Sequence, residues 1–416
     1  MRIAIVGAGI AGLTCAHLLD PEHELTVFEA EDHPGGHTRT VEVETERELH
    51  RVDTGFIVYN DRNYPGFERL LERLGVETQP SSMSFSVSDG RGDFEYNGAS
   101  ANGLFARRSS LVRPSFHRIV RDLLRFNREA PSLIGLNGSG PTLLDFLDGG
   151  GYSREFVERL IVPQASAVWS ADPRELRYFP AALLAEFFDN HGMFGLTGRP
   201  NWRAVRDGSS RYVERLIAPL RGRLRLSTPV ASIRRFPDRV EVTPAAAGSG
   251  PECFDEVILA AHSDQALRML ADPSPAEVEL LGAIPYQAND VVLHTDSSLL
   301  PRRRRARASW NFHLQDEPAE RTTVTYLMNR LQSLEVERDY CVTLNRVDAI
   351  DPERVLDVNE LAHPVFTHRA LAAQRRWREI SGFRRTQYCG AYWGYGFHED
   401  GVQSALRVCE RFGAAL

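Results

Sequence analysis

The stretch Arg2-Ile3-Ala4-Ile5-Val6-Gly7-Ala8-Gly9-Ile10-Ala11-Gly12 decides how this chain begins to fold. Residues 2–6 are a short apolar run suited to a buried parallel strand. Gly7 to Gly12 make a turn, and Leu13 to Leu19 continue as a helix. In a GxGxxG turn the first glycine permits the tight bend, and the second lets a diphosphate approach the backbone around Ala8. The third lets helix pack closely on strand, with the helix N-terminus aimed at the anion. Leu25 to Phe28 form the next strand, which ends in Glu29. A carboxylate at that strand end accepts ribose hydroxyls. The unit predicts a site for the ADP half of a dinucleotide.

That fingerprint alone does not separate NAD from FAD. The next turn does. Pro34-Gly35-Gly36-His37-Thr38-Arg39-Thr40 directly follows the second strand, and paired glycines let the chain pass close to a second phosphate and a ribityl chain. Asp53-Thr54-Gly55-Phe56 offers another close approach. FAD is therefore the expected cofactor, and Ala260, in the buried run Val257–Ala261, joins the candidate binding residues.

Working outward, 416 residues exceed what one core usually organises, so two domains are expected. A net charge of -7 argues against nucleic acid as the main partner. The five cysteines include no CxxC pair, which fits reduced thiols in a cytoplasm and no thiolate metal site. No metal is expected. Lysine is absent, so all 49 basic residues are arginine, and no amine is available as base or Schiff-base nucleophile. No apolar run approaches the ~20 residues of a membrane-spanning helix. The N-terminus superficially looks like a signal peptide, but its glycine spacing reads as mature protein.

Segments of dinucleotide-domain character appear at the start, middle and end. The expected division is residues 1–60, 206–265 and 380–416 for an FAD-binding domain. Residues 61–205 and 266–379 then make a mixed substrate domain. Helices are expected at 67–75, 116–129 and 402–413. Strands are expected at 223–226, 230–234, 240–243, 257–261, 291–295, 322–328 and 340–344, with a hairpin tip or surface loop at 245–251.

With these pieces in place, the chain resembles the FAD-dependent amine oxidase and phytoene desaturase-like superfamily. The resemblance implies an α/β fold (α+β overall), amine-oxidase-like, with a Rossmann-like FAD-binding domain assembled from three segments. It also implies that Val230 touches adenine and that the loop from Gly390 to Gly401 lies at the flavin. The amides near Gly401 and Val402 would then face the flavin's pyrimidine carbonyl. Three departures stand out. His37 replaces the usual arginine after the paired glycines, no lysine exists for the flavin, and Gly390-Ala391 replaces a Gly-Glu pair. Residues 389–401, 309–313 and 325–334 further resemble a bacterial subfamily of FAD-binding proteins that accompany cyclopropane-fatty-acyl synthase-like methyltransferases. Some members of that subfamily act on acyl chains of membrane lipids, including desaturation of methyl-branched chains on the route to furan fatty acids. That narrower likeness implies a lipid or fatty-acyl substrate, desaturated by hydride transfer to flavin N5. No second strand–GxGxxG–helix unit offers a site for NAD(P)H, so reoxidation by oxygen or another acceptor is expected.

Desaturation also needs a base. The candidate catalytic residues are Tyr395, His398 and Glu399, with Asp400 read as a helix cap and Asn311 and His313 as second-tier polar candidates. Cys389 invites a covalent flavin link but lacks the flanking motif. Phe116, Ile119, Val120, Leu123 and Leu124 are expected on one helical face, with Arg118, Arg121, Arg125 and Arg128 opposite. This pattern, with the second basic run Arg302–Arg305, allows peripheral contact with an anionic membrane. The rival readings are a flavin-dependent acyl isomerase, an amine oxidase, a non-catalytic lipid-binding flavoprotein and an NAD-dependent dehydrogenase. Oligomeric state is not legible.

Overall fold

The computed structural model describes residues 1–44, 49–136, 140–195, 197–315 and 321–416. Five parallel strands form the sheet that organises the chain termini. Their spatial order is Leu224–Arg225, Glu24–Phe28, Arg2–Val6, Glu256–Leu259 and Thr386–Tyr388. Ile3, Ile5, Val27 and Ile258 are fully buried. Strands covered on both faces need continuous apolar sequence, which is what these short runs have. Arg2–Val6 is flanked by strands reached through separate crossovers, so the crevice at its carboxyl end is the site such sheets reserve for ligands.

Helix Ile10–Leu19 follows the first strand directly, and the last helix, His398–Cys409, packs against it. The contact is close: a Cβ at Gly401 would stand 2.8 Å from Ile10 Cγ2. A hairpin of Thr40–Glu44 with Leu49–Asp53 leads away from the crevice.

A seven-stranded sheet forms the second layer. Its order is Val355–Pro364, Tyr286–His294, Cys341–Leu344, Val324–Leu327, Trp310–His313, Phe85–Ser88 and Glu95–Asn97. Val87, Leu293, Phe312, Val324 and Val342 from this sheet share one core with Phe116, Phe126, Phe156 and Phe188 from the helical region.

Several elements differ from expectation. The last helix begins at His398 rather than 402, because Asp400 accepts the Phe397 amide at 2.9 Å and closes a cap there. The apolar run 322–328 is a strand only over Val324–Leu327, then turns into the short helix Met328–Leu331. Strand Val355–Pro364 is absent from the expected set. It sits at the sheet edge, where mixed polar sequence (Asp357, Asn359, Glu360, His363) hides any alternation. Helix Pro114–Glu129 buries Phe116, Ile119, Asp122 and Phe126, but Leu124 is exposed among arginines rather than on the apolar face. Residues 245–251 do link two antiparallel strands, Val240–Pro244 and Glu252–Phe254. Among the described residues no helix is long and apolar enough to cross a membrane.

Candidate active site

The two glycine turns meet at the crevice. Gly7 has φ +104°, and a Cβ there would come 2.8 Å from the Ala260 carbonyl oxygen. Gly36 has φ +57°, and a Cβ on it would lie 3.1 Å from Gly9 Cα. Only glycine makes both bends without strain. The Gly35 amide donates to the Ala8 carbonyl at 2.9 Å, locking one turn on the other. A Cβ at Gly9, by contrast, would find nothing nearer than Gly36 Cα at 3.9 Å. Gly9 therefore presents open backbone to the crevice.

Glu29 closes the second strand. Its carboxylate accepts the Ala8 amide at 2.7 Å on one oxygen and the Glu31 amide at 3.0 Å on the other. Each oxygen keeps a lone pair for a ribose hydroxyl. The Phe56 amide donates to the His37 carbonyl at 2.8 Å, which brings the Gly55 turn against the paired-glycine segment.

These turns line one end of a cavity of about 1680 Å³. Pockets for a single small ligand run to about 300–1,000 Å³, so there is room for a dinucleotide and a second molecule. Gly7, Gly9, Glu29, Gly36, His37, Gly55, Phe56, Val230, Ala260, Gly390, Tyr395 and His398 line it. Ala8, Gly12, Thr38, Glu399, Gly401 and Val402 do not. Ala8 and Gly12 support the turn from behind. Gly401 departs from expectation because the helix starts early, so its amide is spent on the Phe397 carbonyl at 3.2 Å. The first turn, which leaves amides free at any helix start, is instead His398–Asp400.

The candidate catalytic residues separate cleanly. His398 stacks on Phe56 with ring centroids 3.6 Å apart. Its Nε2 lies 2.9 Å from the Thr38 hydroxyl and 3.0 Å from the Tyr212 hydroxyl, and those two hydroxyls also bond each other. Burial, helped by His37, holds the imidazole well below its ordinary pKa, so it is neutral. Tyr395 donates its hydroxyl to Glu186 at 2.9 Å. Burial and the Glu186 charge push the phenol up, so it stays protonated. Glu399 faces away from the cavity and accepts the amides of Gly66 and Phe67 at 2.9 and 2.8 Å. It caps helix Pro65–Leu74. Asn311 and His313 are satisfied inside the seven-stranded sheet, by Ala308 and Thr325. Cys389 is buried with its Sγ 3.9 Å from that of Cys15.

Sequence reasoning missed three features. Asp53 is fully buried and accepts hydrogen bonds from Thr40, Ser209 and Gln332, tying the first hairpin to the 207–210 turn. Tyr212 supplies the hydroxyl beside His398. Three imidazoles also meet at the cavity wall, His37 with His262 at 5.4 Å and with His363 at 5.3 Å. They come from three widely separated segments of the chain, so no spacing could reveal them. Among the described residues no group of three or more ligating side chains could hold a metal.

A parallel sheet with interlocked glycine turns, a cavity-lining carboxylate after the second strand and space for a dinucleotide defines a dinucleotide-dependent oxidoreductase. Over residues 10–412 the chain belongs to the flavin-containing amine oxidoreductases, and its cofactor is FAD. Solved structures share this fold. Cyclohexylamine oxidase from Brevibacterium oxydans IH-35A matches with TM-score 0.72 at 16% identity, covering 99% of each chain. Putrescine oxidase bound to putrescine matches at 0.69 with 15% identity over 99% of each chain. A fatty acid isomerase producing CLA, from P. acnes, matches at 0.67 with 17% identity over 99% of this chain and 98% of that one. A curated relative, the NAD-dependent dihydropyrimidine dehydrogenase subunit PreT of Escherichia coli (strain K12), is 25% identical over 189 residues. That match covers 44% of this chain and 41% of the relative's length.

Proposed function

We propose that this FAD-dependent oxidoreductase acts on the acyl chain of a fatty acid or phospholipid, most simply by desaturation. The observation that carries the reading is the character of the cavity beyond the glycine turns. Its wall there is Leu160, Trp169, Phe187, Phe188, Trp310 and Tyr326, and its outer rim carries Arg128 and Arg199. The carboxylates on the described lining are Glu29, Glu31 and Glu360, and the first two belong to the nucleotide end. An apolar chamber with cationic groups at its rim suits a hydrocarbon chain with an anionic head. An ammonium substrate would gain no carboxylate partner from those six wall residues. The lack of lysine points the same way.

When bound, FAD would supply the acceptor for the hydride that leaves the chain, with oxygen as the final oxidant. The protein's own residues orient and dehydrate. The aromatic walls align the chain and exclude water. His398, neutral and held at Nε2 by Thr38 and Tyr212, would have its other ring nitrogen, Nδ1, to take the proton from the neighbouring carbon. Tyr395 remains a hydrogen-bonded wall residue, and Glu399 drops out as a base. All five thiols are unpaired, which supports a reducing, cytoplasmic setting.

Acyl isomerisation is a second reading, supported by the fold shared with the P. acnes fatty acid isomerase. Anaerobic mixing of the yellow holoenzyme with bacterial lipids separates the outcomes. Desaturation bleaches the flavin and yields a new double bond. Isomerisation moves a double bond with no lasting bleaching. Bleaching by primary amines and by no lipid would sink both.

A further inference from the structure

Two arginine runs from distant parts of the chain meet at one turn. Arg107 Nη1 and Arg303 Nη1 both donate to the Gly92 carbonyl, at 3.1 and 2.8 Å. Arg113 Nη1 donates to the neighbouring Asp93 carbonyl at 3.0 Å. Residues 107–129 hold seven arginines against two carboxylates, and residues 302–307 hold five against none, in a chain of net charge -7. Nearby acids are partly committed: Asp93 to Arg107, Glu95 to Arg303, Glu155 to Arg118, Glu129 to Arg125 and Asp339 to Arg307. The surface stays strongly basic.

Apolar groups stand exposed in the middle of it. Among the described residues, Val112 and Leu124 are the two most exposed large hydrophobic side chains, at 81% and 68%. Leu124 shares one stripe of helix Pro114–Glu129 with His117, Arg121 and Arg128, spaced for a single face. Arg121 and Arg128 are 70% and 78% exposed; Arg121 touches Asp122 at 3.1 Å, and Arg128 lies 3.8 Å from Glu129. Leu124 and Arg128 also line the cavity. The C-terminal half of the stripe therefore borders the chamber's outer mouth.

We propose that this face docks on an anionic lipid bilayer, with Val112 and Leu124 in the interfacial layer and the arginines on the headgroups. Acyl chains would then enter the chamber without crossing water. The inference rests on the acyl reading above for its purpose, and on surface charge and exposed apolar groups for its binding. Isolated apolar side chains ringed by arginine fit an interfacial helix better than an acidic protein partner.

Flotation of the holoenzyme with phosphatidylglycerol–phosphatidylcholine vesicles tests it, against vesicles of phosphatidylcholine alone. Binding to the anionic vesicles is expected, weakening in high salt. Arg121→Gln should lower partitioning about fivefold, and Val112→Glu at least about tenfold. Neither residue lines the cavity, so bleaching by detergent-dispersed lipid should be unchanged in both, with flavin absorbance confirming the fold. Equal binding to neutral vesicles, no vesicle binding, or full binding by Val112→Glu would overturn the docking. Vesicle binding with no bleaching by any lipid would instead remove the acyl reading and leave the docking standing.

Discussion

His398 Nε2 lies 2.9 Å from the hydroxyl of Thr38, so the last helix is tied to the paired-glycine turn near the other end of the chain. Tyr212 completes the cluster at 3.0 Å from the same nitrogen. The beginning, middle and end of the chain thus converge on one imidazole at the cavity wall.

If that imidazole takes the substrate proton, His398→Gln should keep its yellow colour and its KM while kcat falls on the order of 10²-fold. Because the folded pKa lies well below the ordinary value, wild-type activity should show no His398 inflection between about pH 6 and 8. An unchanged kcat would reduce His398 to a structural role, and a colourless variant would make it a cofactor residue.

Three glycine substitutions should behave differently although they belong to one pair of interlocked turns. Gly12→Ala drives a Cβ into the Gly7 carbonyl oxygen, so it should unfold the first unit. Gly36→Ala strains a left-handed backbone and presses on Gly9, costing about 1–2 kcal/mol. Gly9→Ala meets only a 3.9 Å contact, so its thermal unfolding without cofactor should barely change. Its Cβ would project into the open crevice that Gly9 lines, so flavin content after purification should drop sharply. Full flavin retention by Gly9→Ala would contradict the assignment of that backbone to the cofactor.

Glu399→Gln distinguishes a cap from a base. Losing the carboxylate at the Gly66 and Phe67 amides should lower stability by about 1–2 kcal/mol in urea unfolding, with kcat nearly unchanged. A drop of about 10²-fold or more in kcat with normal stability would restore Glu399 to the chemistry.

The imidazoles of His37, His262 and His363 give the fold a pH dependence. Burial, chiefly, lowers each, His262 to about 4 and His363 to about 3. An unfolded histidine titrates near about 6.5, so below that pH the unfolded chain binds more protons than the native one. The cluster's contribution to stability should therefore be fully present above about pH 6.5 and fall as the pH drops below it, by up to about 1.4 kcal/mol per pH unit for each imidazole. His363→Gln should flatten the slope of urea stability against pH by about one imidazole. An unaltered slope would show that the cluster does not set it.

The nucleotide end of the site is legible because its physics is local. The tight bend at Gly7, the open backbone at Gly9 and the carboxylate after the second strand all belong to the first strand–helix–strand unit, and each demands a particular residue type at a particular spacing. The opposite end is less so. The helix-like pattern of 116–129 is readable, yet it places Leu124 on the buried face. The pattern says which residues are apolar, while the neighbours that pack on the helix decide which of them are covered.

By itself, then, the sequence determined the parallel sheet, the dinucleotide turns and the choice of FAD, all set by backbone sterics and short-range spacing. Tertiary structure alone decided which polar groups in the last segment face the cavity. It turned Glu399 into the cap of helix Pro65–Leu74 and set His398 against Thr38 and Tyr212. It also joined Arg107 to Arg303 at the Gly92 carbonyl. These pairings depend on which distant segments the folded core brings together, and no residue spacing records that.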